Sequence, residues 1–131
     1  MMRERPQLQG KLLTFGTWDF EIVEALAPEP SDTVIVKSRY SGFHGTDLDS
    51  LLRGCGVRNL LIVGIASNVC VESTIRDAYF LEYWPVMIAD ATMPAGPAEI
   101  QLATIYNVST FFGWVTTAED VATAISGARS S

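Results

Sequence analysis

The sequence predicts an α/β fold of three layers, in which helices cover both faces of a mainly parallel β-sheet. Short runs rich in β-branched residues alternate along the chain with segments of helical periodicity. The strand segments are apolar on both faces, as expected for strands buried between helices. The length of 131 residues fits a single domain over residues 1–131 that can bury a real core.

The first half of the chain is predicted to hold two helices and two strands. Residues 1–16 show weak periodicity and are expected to be an irregular lead-in. Thr17 is the predicted cap of the first helix, and Pro28 and Pro30 stop it because proline cannot continue a helix. The predicted elements are a helix over 18–26, a strand over 33–37, a helix from Thr46 or Asp47 that closes at Gly54 or Gly56, and a strand over 57–65.

The second half continues the alternation. A helical pattern follows Cys70. Five residues lie near one of its faces at 3.6-residue spacing: Val71, Thr74, Ile75, Ala78 and Leu81. The other predicted elements are a strand over 84–89, a helix over 98–106, a strand over 108–112 and a helix over 118–125. Because chemistry in such sheets lies at the carboxyl ends of the strands, four regions are predicted to converge: Lys37, the turn over 66–70, Asp90 and the Gly113 region.

Composition and charge exclude several classes of function. The net charge of −6, without a basic stripe, argues against nucleic acid and against an anionic membrane surface as partners. Two cysteines form no disulfide framework of the secreted type, which favours a reducing cytoplasm. No apolar run approaches the roughly 20 residues of a membrane span. The N-terminus lacks the apolar core of a signal peptide.

Cys70 is the residue with the clearest chemical potential. An apolar run over 60–63 ends at Gly64, and a short polar turn leads to Cys70 where a helix begins. Peptide N–H groups and the positive end of a helix dipole favour the thiolate, which is the nucleophilic form. The alternative is that Cys70 is a small buried apolar residue, because free cysteines are among the most buried residues.

Lys37 is the second candidate, since an ammonium near a cysteine stabilises its thiolate. It is one of two lysines and ends a predicted strand of the same sheet; the alternative is an ordinary solvated lysine. His44 is the single histidine and lies in a loop, so it is expected to be peripheral. One histidine and two separated cysteines offer no zinc-ligand spacing, and no glycine-rich nucleotide motif is present. No cofactor and no metal are expected.

Two stretches resemble a known family. GIASNVCVESTIRDA, residues 64–78, is similar to the nucleophile motif of the isochorismatase-like cysteine hydrolases, and VIVKSRYSGFHGTDLDSLL, residues 34–52, to their catalytic-lysine segment. That superfamily includes nicotinamidases, N-carbamoylsarcosine amidohydrolases and ureidoacrylate amidohydrolases. The stretches QLQGKL, LEYW, ADAT, AGP and FFGWV resemble the ureidoacrylate amidohydrolases of pyrimidine degradation, the RutB type. The resemblance covers essentially the whole chain and implies an isochorismatase-like fold.

The resemblance implies a role for each matching residue. Cys70 is expected to attack an amide or ureido carbonyl and form a thioester-level intermediate, with Lys37 stabilising the thiolate and assisting proton transfer. The backbone N–H groups of Ala66 and Cys70 are expected to form the oxyanion hole. The Ile65–Ala66 peptide bond is expected to be cis. Tyr40 is a candidate substrate contact; its alternative is an aromatic packed within the loop.

The sequence departs from the family pattern at its start. The family's third catalytic residue is an aspartate at the end of its first strand, and no such segment precedes Lys37. Asp19 lies in a helical context, and Asp32 begins the predicted lysine strand at the wrong end. The resemblance therefore implies that the chain lacks the family's first two strands, which leaves the strand over 60–64 with an apolar edge open to pairing.

Three possibilities accompany that departure: the strand over 33–37 closes the gap, another chain supplies the strands in a homo-oligomer, or the chain is a fragment. Three functions follow. The first is a cytoplasmic amidohydrolase acting on a small ureidoacrylate-like molecule. The second is a catalytically impaired fragment or interaction module that lacks the aspartate. The third is another amidase of the superfamily, such as a nicotinamidase.

Overall fold

The computed structural model describes residues 14–128, which fall into two compact units. Of the first unit, Met1–Val34, residues 14–34 form turns and one short 3-10 helix, Glu24–Leu26. The predicted helix over 18–26 is therefore wrong. Its apolar side chains, Ile22, Val23 and Leu26, are exposed, and a helix of this length is marginal without a packed face.

The second unit, Ile35–Ser131, carries the regular structure and is described to residue 128. It confirms the predicted alternation of helices and strands. Two π-helical turns interrupt it, Ser67–Val71 and Val108–Phe112, and we call the first the cysteine turn. The remaining elements are α1 (Leu48–Gly54), β1 (Asn59–Ile65), α2 (Glu72–Phe80), β2 (Trp84–Met93), α3 (Glu99–Asn107), β3 (Trp114–Thr116) and α4 (Ala118–Ala128).

The three strands form one parallel sheet in the order β1-β2-β3, which confirms the α/β fold with a parallel sheet. Ile62 of β1 pairs with Met87, and Gly64 pairs with Thr92, so β2 bulges between these positions. Gly64 adopts a φ of 114°, in the region that favours glycine. The bulge lies in β2, opposite the part of β1 that leads into the cysteine turn, and bulges change the direction of a strand near a site.

Two predicted strands are wrong. Residues 35–37 carry no regular structure, and in the described part of the chain β1 pairs with β2 alone, so this segment does not close the edge of the sheet. Residues 108–112 continue α3 as a π-helical turn in which the Gly113 N–H donates to Val108 O at 2.9 Å. A segment of five residues is too short for its periodicity to distinguish a helix from a strand.

The core lies between the sheet and the helices that follow β1 and β2. Met87 and its chain neighbour Ile88 point to opposite faces of β2, and both are buried, so both faces of the central strand are covered. On β1, in contrast, Leu61, Val63 and Ile65 are exposed. The main buried cluster consists of Val71, Ile75, Met87 and Val108, with Ile62, Ile105, Phe112 and Val115 packed against it.

None of the helices between residues 14 and 128 is long and apolar enough to cross a membrane. The assignment of residues 1–131 to one domain stays a prediction.

Candidate active site

The cysteine turn follows the carboxyl end of β1 directly. The Ala66 carbonyl accepts hydrogen bonds from the N–H groups of Val69 and Val71, both at 3.1 Å, and the second of these spans the five residues of a π-helical turn. Ala66 is buried, and its peptide bond with Ile65 is cis, the geometry that the resemblance implies. Cys70 has a free thiol that is partly exposed. The turn therefore presents a thiol beside a buried backbone.

A buried polar network fixes the start of this turn. Ser67 is fully buried, and its hydroxyl donates to the Gln101 side-chain oxygen on α3. The Gln101 amide nitrogen donates to Ala89 O at 3.2 Å and to Thr92 Oγ1 at 3.0 Å, both on β2. The turn is thus joined to α3 and to the end of β2. Buried networks of this kind hold a segment rigidly when all of their members are paired.

Asn68 supplies a second anchor for the turn. Its side-chain oxygen accepts the Ala95 N–H at 2.8 Å, and its side-chain nitrogen donates to Ala95 O at 3.3 Å. The Asn68 side chain thus bonds both backbone groups of Ala95, as a paired strand would, in the loop between β2 and α3. Two consecutive residues before Val69 therefore contact segments far away in the sequence, and the backbone that leads to Cys70 is held from two sides.

Lys37 is exposed and lies in a loop over residues 37–42, which we call the lysine loop. Its ammonium donates to Arg39 O at 2.9 Å and to Tyr40 O at 3.1 Å. The Tyr40 side chain is exposed, whereas Ser41 is buried. The loop thus folds back on its own lysine, and it presents the aromatic ring of Tyr40 to solvent.

One hydroxyl brings the lysine loop and the cysteine turn together. The Gly42 N–H donates to Thr74 Oγ1 at 2.9 Å, and Thr74 Oγ1 donates to Cys70 O at 2.7 Å. No hydrogen bond joins the Lys37 ammonium to the Cys70 thiol within residues 14–128. The two predicted catalytic residues are therefore on adjacent segments that are connected through backbone groups and Thr74.

The predicted convergence at the carboxyl ends of the strands is only partly correct. Asp90 lies in the second half of β2, where its Oδ1 accepts the Ala118 N–H at 2.9 Å, so it caps α4. Gly113 precedes β3 and lies against Pro85 near the start of β2, so it belongs to the opposite edge of the sheet. Gly113 was expected at the carboxyl end of a strand over 108–112. Because that segment is a helical turn, Gly113 lies instead at the amino end of β3. His44 is exposed.

The acidic groups with shifted pKa values have structural partners. The Tyr83 hydroxyl, and after it the Arg53 guanidinium, lower the pKa of Asp49 below its ordinary 3.8. The Thr117 and Thr116 hydroxyls lower the pKa of Asp120 at the start of α4.

In residues 14–128 no group of three or more histidine, cysteine, aspartate or glutamate side chains is arranged to hold a metal ion. Asp32 accepts the Glu29 N–H within its own turn, at 2.9 Å.

A groove of the second unit lies away from the cysteine turn. It encloses about 810 Å³ at the amino ends of β2 and β3 and is lined largely by aromatic side chains, among them Tyr79, Phe80, Trp84, Phe111 and Trp114. Since the strands are parallel, this is the edge opposite to that from which Cys70 follows β1. The groove therefore does not contribute to a site built on Cys70.

Sequence reasoning missed Gly42, Ser67, Asn68, Thr74 and Gln101. A threonine four residues after Cys70 on a helix could have been recognised, since such hydroxyls commonly bond the carbonyl one turn earlier. The partners of Ser67 and Thr74 lie 34 and 32 residues away in the sequence, and no local pattern indicates them.

The family model described as the isochorismatase domain matches residues 2–120. The chain belongs to the isochorismatase domain family.

Two curated relatives of this chain carry the name ureidoacrylate amidohydrolase RutB. The chain is 58% identical over 127 residues to the ureidoacrylate amidohydrolase RutB of Rhizobium rhizogenes, covering 97% of this chain and 52% of the relative. The identity to RutB of Agrobacterium fabrum is also 58%, covering 97% of this chain and 56% of that protein. The chain therefore spans about half the length of these curated relatives.

Among solved structures, a cysteine hydrolase from Pseudomonas syringae pv. phaseolicola superposes with a TM-score of 0.90 at 34% identity, covering 97% of this chain and 64% of that one. N-carbamoylsarcosine amidase from Thermoplasma acidophilum superposes with a TM-score of 0.73 at 27% identity, covering 85% and 62% of the two chains. Both are similar in fold, and the first is similar over nearly all of this chain.

Proposed function

We propose that this chain carries the nucleophile and the lysine of a cysteine-dependent amidohydrolase that acts on a small ureido or amide substrate of the ureidoacrylate type. The observation that carries the proposal is the 58% identity to two RutB ureidoacrylate amidohydrolases over 97% of the chain. The partly exposed thiol of Cys70, on a turn held by Ser67 and Asn68, supports it.

The proposed reaction begins with attack of the Cys70 thiolate on the substrate carbonyl carbon. A C–S bond forms, the scissile C–N bond breaks, and the leaving nitrogen takes a proton from the Lys37 ammonium. Water then attacks the thioester-level carbonyl and gives a proton to Lys37, the C–S bond breaks, and the thiolate returns. One water is consumed, and an amine and an acid are released.

The proposed oxyanion hole consists of the backbone N–H groups of Ala66 and Cys70. N–H groups fixed before the reaction stabilise developing negative charge more effectively than water does, because they need no reorganisation. The anchors of the cysteine turn at Ser67 and Asn68 suit that requirement. Tyr40 is the proposed substrate contact, since its ring is exposed and its carbonyl accepts a hydrogen bond from Lys37.

The resemblance also implies a catalytic aspartate, and it assigns that role to no residue of this chain. Because the chain spans 52% and 56% of the two RutB relatives, the activity of the whole protein is part of the proposal. A cytoplasmic location, a homo-oligomeric state, a place in pyrimidine degradation, and the absence of nucleic-acid and membrane partners are proposed with it.

The test is hydrolysis of ureidoacrylate by the full chain that the gene encodes, compared with its Cys70→Ala, Cys70→Ser and Lys37→Ala variants. We expect kcat to fall by about 10³-fold or more in each cysteine variant, because both steps require the thiolate, and by about 10²-fold for Lys37→Ala, as for loss of a proton-transfer group. Trapping the intermediate on Cys70 by mass spectrometry reports the covalent step directly.

Cys55→Ser is the matched control, because Cys55 is the other free thiol and is exposed beyond the end of α1. It is expected to keep wild-type turnover. Substantial turnover by Cys70→Ser would contradict the mechanism. Nicotinamide and N-carbamoylsarcosine serve as competing substrates; a higher kcat/KM for either one would replace the ureidoacrylate assignment. If iodoacetamide modifies Cys70 no faster than Cys55 and no substrate turns over, the chain is instead a non-catalytic module.

A further inference from the structure

The hydroxyl of Thr74 is the middle of a three-member hydrogen-bond chain between two segments. The Gly42 N–H donates to Thr74 Oγ1 at 2.9 Å, and the Thr74 hydroxyl donates to Cys70 O at 2.7 Å. A hydroxyl has one proton and two acceptor lone pairs, so its only proton is directed to Cys70. Its lone pairs are then left for Gly42. Hydrogen bonds in such a chain polarise one another and become stronger.

The backbone of Gly42 lies close against this threonine. A Cβ at position 42 would lie 3.3 Å from Leu48 Cδ2 and 3.5 Å from Thr74 Cγ2, so a side chain there has little room. The Gly42 carbonyl accepts a hydrogen bond from the Thr46 hydroxyl. Both polar groups of Gly42 are thus engaged, and the residue before it, Ser41, is buried. Gly42 is the fixed end of the lysine loop.

The position of the Lys37 ammonium depends on the position of Gly42. Its ammonium is held by the carbonyls of Arg39 and Tyr40, at 2.9 and 3.1 Å, and only Ser41 separates Tyr40 from Gly42. A shift of Gly42 therefore moves the two carbonyls that hold the ammonium. At its other end, the same chain of hydrogen bonds terminates on the carbonyl of Cys70 itself.

We propose that Thr74 is a positioning residue, which sets the lysine loop against the cysteine turn and thereby aligns Lys37 with Cys70. This inference rests on the proposed function, because it assigns a role in the same reaction. Misplacement of a reacting group by about 1 Å can lower a rate by roughly 10²-fold, so a residue that touches no substrate can still control turnover.

The test compares Thr74→Val with Thr74→Ser in the full chain encoded by the gene. Valine keeps the shape and removes the hydroxyl, whereas serine keeps the hydroxyl and removes a methyl group. For Thr74→Val we expect kcat on ureidoacrylate to fall by about 10- to 100-fold with KM changed by less than about 3-fold, because alignment and not substrate binding is lost. Thr74→Ser is expected to retain at least about one third of wild-type kcat.

Thr104→Val is the matched control, because Thr104 is a buried threonine whose hydroxyl donates to Glu72 and to no group of the lysine loop or the cysteine turn. It is expected to keep wild-type kcat at a temperature well below its unfolding midpoint. An equal loss of kcat in Thr104→Val and Thr74→Val would overturn the proposal, since the effect would then be general destabilisation. Gly42→Ala provides a second variant should Thr74→Val fail to fold, and it is expected to lower kcat through the other end of the same contact.

Hydrogen exchange of the Gly42 amide separates this proposal from the proposed function. We expect Thr74→Val to speed that exchange by about 10-fold or more, and Thr74→Ser to leave it near the wild-type rate, whatever the substrate is. If the wild-type protein hydrolyses no ureidoacrylate while Gly42 responds in this way, the substrate assignment fails and the contact stands. If Gly42 exchanges equally fast in all forms, the positioning role fails even in an active enzyme.

Discussion

The carboxylate of Glu72 accepts a hydrogen bond from the hydroxyl of Thr104 at 3.0 Å, and this contact joins α2 to α3. Arg76 donates to the same carboxylate at 2.6 and 3.0 Å, and Asn107 donates at 3.2 Å. The guanidinium of Arg76 also lies 4.0 Å from the centre of the Phe112 ring. The helix that follows Cys70 is therefore fastened at its first residue to the helix that carries Gln101.

Glu72→Ala is expected to lower the free energy of unfolding by about 2–3 kcal/mol, because the buried Thr104 hydroxyl and the Arg76 guanidinium lose their acceptor. Urea denaturation at pH 7 measures the loss. The double variant Glu72→Ala with Thr104→Val should lose less than the sum of the two single variants, by about 1 kcal/mol. Strict additivity would show that the contact contributes nothing.

Gly113 meets the backbone of β2 so closely that no side chain fits. A Cβ there would overlap Pro85 O and lie 3.1 Å from Pro85 Cγ, and Pro85 is fully buried. Gly113→Ala should therefore lower the free energy of unfolding by about 2–3 kcal/mol through forced backbone displacement. Gly54→Ala is the matched control, because nothing lies within 4 Å of its Cβ position. At that helical site alanine is expected to be neutral or stabilising by up to about 1 kcal/mol.

Tyr83 and Asp49 predict a pH dependence of stability. The Tyr83 hydroxyl donates to Asp49 Oδ1 at 2.7 Å and holds the pKa of that carboxyl below 3.8 in the folded protein. The folded state therefore binds fewer protons than the unfolded state just below pH 3.8, so this contribution is complete above that pH and is lost as pH falls through the folded pKa.

Tyr83→Phe removes the main cause of that shift. We expect the variant to be less stable than the wild type at pH 7, and the difference in free energy of unfolding to narrow on acidification below about pH 4. Urea titrations at pH 7, 5, 4 and 3 provide the measurement. A difference that stays constant, or widens, in acid would mean that Asp49 does not draw stability from Tyr83.

Substitution of Gln101 on α3 is expected to loosen the cysteine turn, because its side chain accepts the Ser67 hydroxyl. Gln101→Leu leaves the buried Ser67 hydroxyl without its acceptor, and should lower the free energy of unfolding by about 1–3 kcal/mol. Iodoacetamide labelling of Cys70 should change in rate, because the turn loses its attachment to α3. Leu102→Ala, at the exposed next position of the same helix, should alter neither quantity by more than the experimental scatter.

Much of the fold could be predicted because burial follows periodicity. Spacing placed five residues on one face of a helix. Val71, Ile75 and Ala78 are buried, and Thr74 and Leu81 are partly buried. The strand over 33–37 could not be judged in this way, since a strand forms only with a partner. Residues 108–112 were misassigned because five residues are too few to distinguish a period of 2 from a period of 3.6.

Part of the candidate site could also be predicted from the sequence, and part of it could not. Cys70 and Lys37 could be selected from residue type and position, since a thiol at a helix start and a nearby ammonium are chemically recognisable. Their supports could not, because the Gly42 N–H and the Thr74 hydroxyl, like Ser67 and Gln101, meet only in the folded chain. Sequence reasoning therefore selected the two candidate residues and missed the groups that hold their segments in place.

The pairing of β2 with β3 has an optical consequence. Trp84 and Trp114 lie at the starts of these strands with ring centroids 5.5 Å apart, so the two indoles contact each other only when the strands are paired. Their electronic coupling should give a circular-dichroism feature that disappears in Trp84→Phe or Trp114→Phe and persists in Trp18→Phe. The chain thus carries its own chromophore pair, with which sheet formation can be followed without any added label.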